Sequence, residues 1–216
     1  MQTAQVREQM IEQQVRAWDV LDERVLEAMR RVPRELFVPA TEAYRAYADA
    51  EVPLPCGQHM LRPSVVGRLL QGLLPQPHEQ VLEVGAGSGF VTACLRGLAG
   101  GVRSLELYPQ LAESARANLA ALGVRGTEVL DADALRYESA STYDVIAVTA
   151  SLPLYDARFE RLLAVGGRLF VVVGQAPVME ARVVQRIASS EWLTRTLFET
   201  VIDPLVHAPQ PAAFTF

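Results

Sequence analysis

Residues 79–95 read EQVLEVGAGSGFVTACL. An apolar, β-like run ends at Val84, glycines follow at 85, 87 and 89, and an apolar run of helical character begins at Phe90. This is a strand, a glycine turn and a helix. Outward from it the texture alternates. Strands are expected at 80–85, 102–107, 126–130, 143–149 and 167–173, with helices at about 89–99, 109–122 and 156–164. Runs such as VIAV and LFVVV are apolar on both faces, which suits a parallel sheet covered on both sides. Short links and β-α-β alternation predict an α/β, doubly wound, Rossmann-like domain. After Gly174 the rhythm stops. MEARVVQRIA and LTRTLFETVI alternate polar and apolar residues and are expected as an antiparallel pair at the end of the sheet.

Before residue 79 the pattern is helical and then irregular. Residues 4 to 17 place Val6, Met10, Ile11 and Val15 at helical spacing. A second helix is expected from about Asp22 to Arg31, stopped by Pro33, and a third from Ser64 to Leu74. Four prolines between 39 and 63 mark loops. The reading therefore gives one structural domain in three parts. These are a helical extension with substrate-covering loops at 1–78, a ligand-binding core at 79–206 and a loose tail at 207–216.

The glycine turn runs G-x-G-x-G and not the dinucleotide pattern G-x-G-x-x-G. Gly85, Gly87 and Gly89 permit a sharp turn and close backbone approach, with Ala86 between them. Glu83, two residues before Gly85, would oppose a pyrophosphate but favour a cationic group. Glu106 ends the second strand, where a carboxylate can accept both hydroxyls of a ribose. Asp133 follows the third strand and is placed to meet an adenine amino group. Leu107 and Ala134 adjoin these carboxylates, and Thr149 closes the fourth strand. Together these residues describe a pocket for S-adenosyl-L-methionine, with the methionine end at the glycine turn.

The bulk figures bound the rest. The chain has 216 residues, a formal net charge of -5 and half its residues hydrophobic. All 20 basic residues are arginine, which excludes Schiff-base lysine chemistry and a P-loop lysine. The acidic balance argues against wholesale nucleic-acid binding. Two cysteines and three histidines are too few for a disulfide framework or a zinc cluster, so no metal is expected. The polar start MQTAQVREQMIEQQ and the absence of a long apolar run point to a cytoplasmic protein with no membrane partner. Arg30, Arg31 and Arg34 read as a basic cluster at a solvated helix end, and Trp18 and Trp192 as packing residues.

In order and spacing, RVLEAMRRVPRELFVP, AYADAEVPLP, GQHMLRP, VLEVGAGSGF, YDVIAVTASLP and LLAVGGRLFVVVG resemble the protein-L-isoaspartate O-methyltransferases, over about residues 10 to 206. The resemblance implies a SAM-dependent Rossmann-like fold with a helical extension and a modified C-terminal strand arrangement. It also implies carboxyl O-methylation of L-isoaspartyl residues in damaged proteins or peptides. Such a carboxylate is already ionised at neutral pH, so the chemistry needs alignment and desolvation, not a base.

The family's substrate loop reads PIG-x-GQTIS-x-P, whereas this chain has PCGQHMLRP, two residues shorter before Gly57. The resemblance sets His59, Met60 and Leu61 where the family has Thr, Ile and its active-site Ser. His59 and Leu61 are therefore the catalytic candidates, and Met60 lies over the cofactor. The residues leave His59 open between a donor or base toward substrate and a loop histidine facing water. They also leave open a different acceptor (another carboxylate, a small molecule or RNA) or SAM binding without turnover.

Overall fold

The computed structural model describes residues 2–212; the end of the expected tail, 213–216, lies outside the described residues. The chain begins with helix α1 (Gln2–Met10), whose axis continues through a wider π turn over Ile11–Val15 and a tighter 3-10 turn over Arg16–Trp18. Asp19, in the left-handed conformation (φ 59°), ends it. Helix α2 (Glu23–Arg31) starts at Asp22, whose side chain accepts the Arg24 N–H, a capping contact worth about 1 kcal/mol. Short 3-10 segments at Arg34–Leu36 and Ala40–Arg45 lead to a ribbon of two-residue strands, β1 (Val52–Pro53) against β2 (His59–Met60). Helix α3 (Pro63–Leu73) opens with a proline at its first position, where no N–H is needed. Asp49 accepts both the N–H and the hydroxyl of Ser64 and ties this helix to the preceding loop.

The Rossmann-like unit follows: β3 (Gln80–Val84), α4 (Phe90–Leu98), β4 (Gly101–Glu106), α5 (Pro109–Ala121), β5 (Thr127–Asp131), β6 (Tyr143–Leu152), α6 (Arg158–Arg161) and β7 (Leu163–Gln175). Strands β8 (Val178–Ala188) and β9 (Glu191–Thr200) complete a seven-stranded sheet of order β5-β4-β3-β6-β7-β8-β9. The first five in that order are parallel. β8 returns antiparallel on β7, and β9 antiparallel on β8. The expected antiparallel pair is therefore a meander extending one edge of the sheet. The helix expected over 156–164 is a single turn, because the chain enters β7 at Leu163.

One face of the sheet and the helical extension share a single apolar core. Met10, Ile11, Val15, Leu26 and Met29 join α3, α4, Val81, Val145 and Phe170 in it. The other face is covered by Tyr143, Leu152, Phe159 and Leu163. Strands β3 and β6, at the centre of the sheet, are buried on both faces, which is why their sequences carry almost no polar alternation. The strand order reverses between β3 and β6, and at such a switch point the carboxyl ends of the strands leave a crevice.

Arg34 departs from the expected solvated cluster. Arg30 and Arg31 do reach solvent in ion pairs with Glu8, Glu12 and Glu27. Arg34 is 0% exposed: Pro33 breaks the helix axis, and the next turn aims the guanidinium inward against Phe90.

Candidate functional site

The crevice holds two adjoining chambers. The larger encloses about 740 Å³ including its open mouth. It is walled by the tips of β3, β4, β5 and β6, the ribbon loop and residues 203–206. The smaller, about 330 Å³, lies at the glycine turn. Leu54, His59, Leu61, Gly85, Gly87 and Thr149 line both.

The glycine turn is fixed by its neighbours. Gly85 has φ 92°, and an added Cβ would lie 2.5 Å from the Thr149 hydroxyl oxygen. That hydroxyl donates toward the carbonyls of Val84 (2.9 Å) and Gly85 (2.8 Å). Thr149 reaches them because β6 carries a register shift between Ala147 and Ser151, which frees Thr149 and Ala150 from pairing with β7. Gly87 accepts no side chain cheaply either, since its φ is 55°.

Glu106 is 5% exposed at the tip of β4. Its Oε2 accepts the Gly87 N–H at 2.8 Å and its Oε1 the Tyr108 N–H at 3.1 Å. Each carboxylate oxygen can accept a second bond, so the group can hold the turn and still bind a diol. Asp133 lines the same chamber. Its Oδ1 accepts the Leu135 N–H, and its Oδ2 lies 3.0 Å from His207 Nδ1. Burial alone would raise the Asp133 pKa, but the Leu135 N–H, His207 and Arg136 hold it below the usual value.

The structure brings together most of the residues expected at the site. Gly85, Gly87, Glu106, Leu107, Asp133, Ala134 and Thr149 line the larger chamber, and Met60 and Ala86 the smaller. Two lie elsewhere. Gly89 (φ 87°) starts α4, where a Cβ would crowd Ala115 of α5 at 3.3 Å, so its role is helix packing. Glu83 is corrected more sharply. Strand alternation turns it away from the crevice, and it is fully buried, with Oε2 accepting from Thr92 and Ser104. Burial pushes its carboxyl up to about 7, helped by the charge of Glu106 and opposed by the two hydroxyls. A carboxylate so placed is a structural group between β3, β4 and α4.

Comparison with known proteins is consistent over the whole chain. The sequence pattern of the Protein-L-isoaspartate(D-aspartate) O-methyltransferase (PCMT) family matches residues 4–209. A protein-L-isoaspartate O-methyltransferase of Rhodopseudomonas palustris is 38% identical over 213 residues, covering 95% of this chain and 98% of its own. One from Methanoculleus marisnigri is 43% identical over 169 residues, 78% of this chain and 77% of its own. The chain belongs to the protein-L-isoaspartate O-methyltransferase family. The fold agrees. A Plasmodium falciparum structure described as a member of this methyltransferase class, in complex with S-adenosyl-L-homocysteine, superposes with a TM-score of 0.79 at 18% identity, covering 92% of this chain and 97% of its own.

The loop before α3 forms the roof of both chambers. Cys56 (φ 61°) and Gly57 (φ 67°) make the turn of the β1–β2 ribbon, which holds His59 opposite Pro53. Cys56 is exposed and Cys94 buried. His59 lines both chambers, and its Nδ1 lies 2.7 Å from Asp203 Oδ2. Leu61 is buried and lines both chambers, and its carbonyl accepts from Arg34. Sequence reasoning missed Asp203 itself. Ser151 fixes the segment after β9 by donating its N–H to the Asp203 carbonyl and accepting the Leu205 N–H, each at 2.8 Å. No short motif marks a contact between residues so far apart in the chain.

Proposed function

We propose that this chain is an S-adenosyl-L-methionine-dependent carboxyl O-methyltransferase acting on L-isoaspartyl residues of proteins and peptides. The observation that carries the reading is the pair of adjoining chambers whose walls bring together the glycine turn, Glu106, Asp133, His59 and Leu61, in a chain of this family. The residues present fit the cofactor. Glu106 offers free acceptor sites for a diol, Asp133 an acceptor for an amino group, and Gly87 bare backbone where a Cβ would approach Leu54 to 3.4 Å.

When bound, S-adenosyl-L-methionine supplies an electrophilic methyl group on a sulfonium. The protein's task is then placement. Glu106 and Asp133 hold the nucleoside end, Gly85 and Gly87 admit the chain that carries the methyl group, and Leu54, Met60 and Leu61 exclude water from the transfer path. An ionised acceptor carboxylate needs no base, and a dry wall raises its nucleophilicity. Asp203 accepts from His59 Nδ1 and so orients the ring, and Nε2, when it also carries a proton, can donate to the acceptor carboxylate. In this reading His59 takes over the substrate contact that the family's loop hydroxyls make. The helical extension, residues 1–78, contributes this loop, and 79–206 the cofactor core.

A second reading keeps the cofactor and changes the acceptor. It is favoured by the same His59–Asp203 pair, which suits an acceptor that must lose a proton, and by the missing hydroxyl at Leu61. No helix among the described residues is long and apolar enough to cross a membrane. With two free thiols, we read the compartment as the cytoplasm.

Incubation with methyl-labelled cofactor and an isoaspartyl peptide, with its aspartyl twin as control, tests the assignment. Base-labile label on the isoaspartyl peptide alone is the expected result. Cofactor binding without any ester would favour the second reading.

A further inference from the structure

Arg34 is among the largest fully buried side chains of the protein. Its guanidinium carbon lies 4.9 Å from the centre of the Phe90 ring, and Nη2 donates to the Leu61 carbonyl at 3.0 Å. Nε and Nη1 are buried and reach no acceptor among the described residues. Burial lowers its pKa to about 10, so the group remains a cation at neutral pH. A buried charge with unmet donors is costly unless an anion meets it.

Asp49 lends a favourable field, but no neighbouring group among the described residues bonds the two free donors. Burial pushes the Cys94 thiol far up, so it stays neutral. The Asp49 carboxylate is engaged by Ser64, with one oxygen on the N–H and the other on the hydroxyl. Glu83 is bonded by Thr92 and Ser104. Yet Arg34 forms part of the wall of the smaller chamber, beside Met60, Leu61 and the Gly85–Ser88 turn. A ligand with its ribose at Glu106 and its chain running past Gly85 and Gly87 arrives in that chamber.

We propose that Arg34 binds the α-carboxylate at the amino-acid end of the cofactor, through the guanidinium donors left free by the protein. The assignment rests on the cofactor reading above. It makes Arg34 serve two ends of the reaction: the carbonyl of Leu61 on the substrate loop and the carboxylate of the methyl donor. The donor's arrival would then neutralise the charge beneath the loop that faces the acceptor.

Calorimetric titration tests this with S-adenosyl-L-homocysteine and its decarboxylated counterpart, which differs only in lacking the carboxylate. A charge-assisted contact predicts that the wild type binds the former about 10- to 100-fold more tightly. Arg34→Gln should bring the two affinities within about threefold, and Arg34→Lys should fall between. A purely structural Arg34 would weaken both ligands equally and keep their ratio, which overturns the proposal. If Arg34→Gln does not fold, the other two proteins decide: equal affinities in the wild type, or an unchanged ratio in Arg34→Lys, overturn it. Wild-type protein that binds both ligands equally removes the Arg34 assignment alone; protein that binds neither removes the cofactor reading with it.

Discussion

His59 Nδ1 lies 2.7 Å from Asp203 Oδ2, across 144 positions of sequence. The pair joins the β1–β2 ribbon to the segment after β9, above a cavity that both residues line. If Asp203 orients the ring toward an acceptor, Asp203→Asn and His59→Ala should each lower kcat/KM for an isoaspartyl peptide by about 10-fold, the worth of one hydrogen bond to a charged group. Binding of S-adenosyl-L-homocysteine should change less than threefold. Initial rates and calorimetry on the same preparations separate the two effects. Unchanged rates in both variants would return His59 to a solvent-facing loop residue.

Glu106 joins the glycine turn to the larger chamber. Glu106→Gln puts an amide N–H₂ where one of two backbone N–H groups must be accepted, at Gly87 or Tyr108. Loss of that acceptor, and of the charge facing a diol, should weaken S-adenosyl-L-homocysteine by about 10- to 100-fold. Full affinity in a folded Glu106→Gln protein would place the ribose elsewhere.

Gly85→Ala meets two obstacles, a positive φ and the Thr149 hydroxyl. A loss of about 1–3 kcal/mol in denaturant unfolding is expected. Trimming the obstacle in Gly85→Ala/Thr149→Ala should recover part of that loss, leaving only the backbone component. Additive losses in the double variant would show that the two residues do not compete for space.

Glu83 sets a pH dependence of known sign. Its folded pKa, about 7, lies above its ordinary value. The folded state therefore holds this proton more tightly, and stability falls as pH rises from about 4.5 to 7 and then levels. Glu83→Gln cannot ionise, so stability relative to wild type should rise across that window by about 1–3 kcal/mol. Urea unfolding at pH 5 and pH 8 measures it. A difference between the two proteins that is flat with pH would mean that Glu83 titrates normally.

At the acid end the opposite sign holds for Glu79. Burial raises its pKa, but the fork to Arg168, with bonds of 2.7 and 2.8 Å, outweighs burial and depresses it. Its contribution is present above the unfolded carboxylate pKa and is lost as pH falls through the lower folded value. Glu79→Gln should cost about 1–3 kcal/mol at pH 7, since Arg168 would keep a half-buried charge without its partner, and much less near pH 2.

Periodicity and punctuation in the chain were enough for the sheet, its parallel core and the strand tips. Apolar strands, glycine turn and proline stops are local signals, and local sterics and burial enforce them. That Glu106 and Asp133 line one chamber follows from the same local signals: each lies at or just past a strand end, and parallel strands bring their ends to one edge. The length of the 156–164 helix was not legible, because the start of β7 depends on pairing with β6. Three assignments needed the packed molecule. Glu83 faces away from the crevice because alternation along β3 is counted from the turn, which the glycines alone do not fix. Asp203 meets His59 only because Ser151 pins the segment after β9 to the tip of β6. Arg34 looks in sequence like one more surface arginine. Its burial against Phe90, beneath the loop, comes from the way the extension and α4 close on each other, and long-range packing of that kind leaves no periodic mark on the chain.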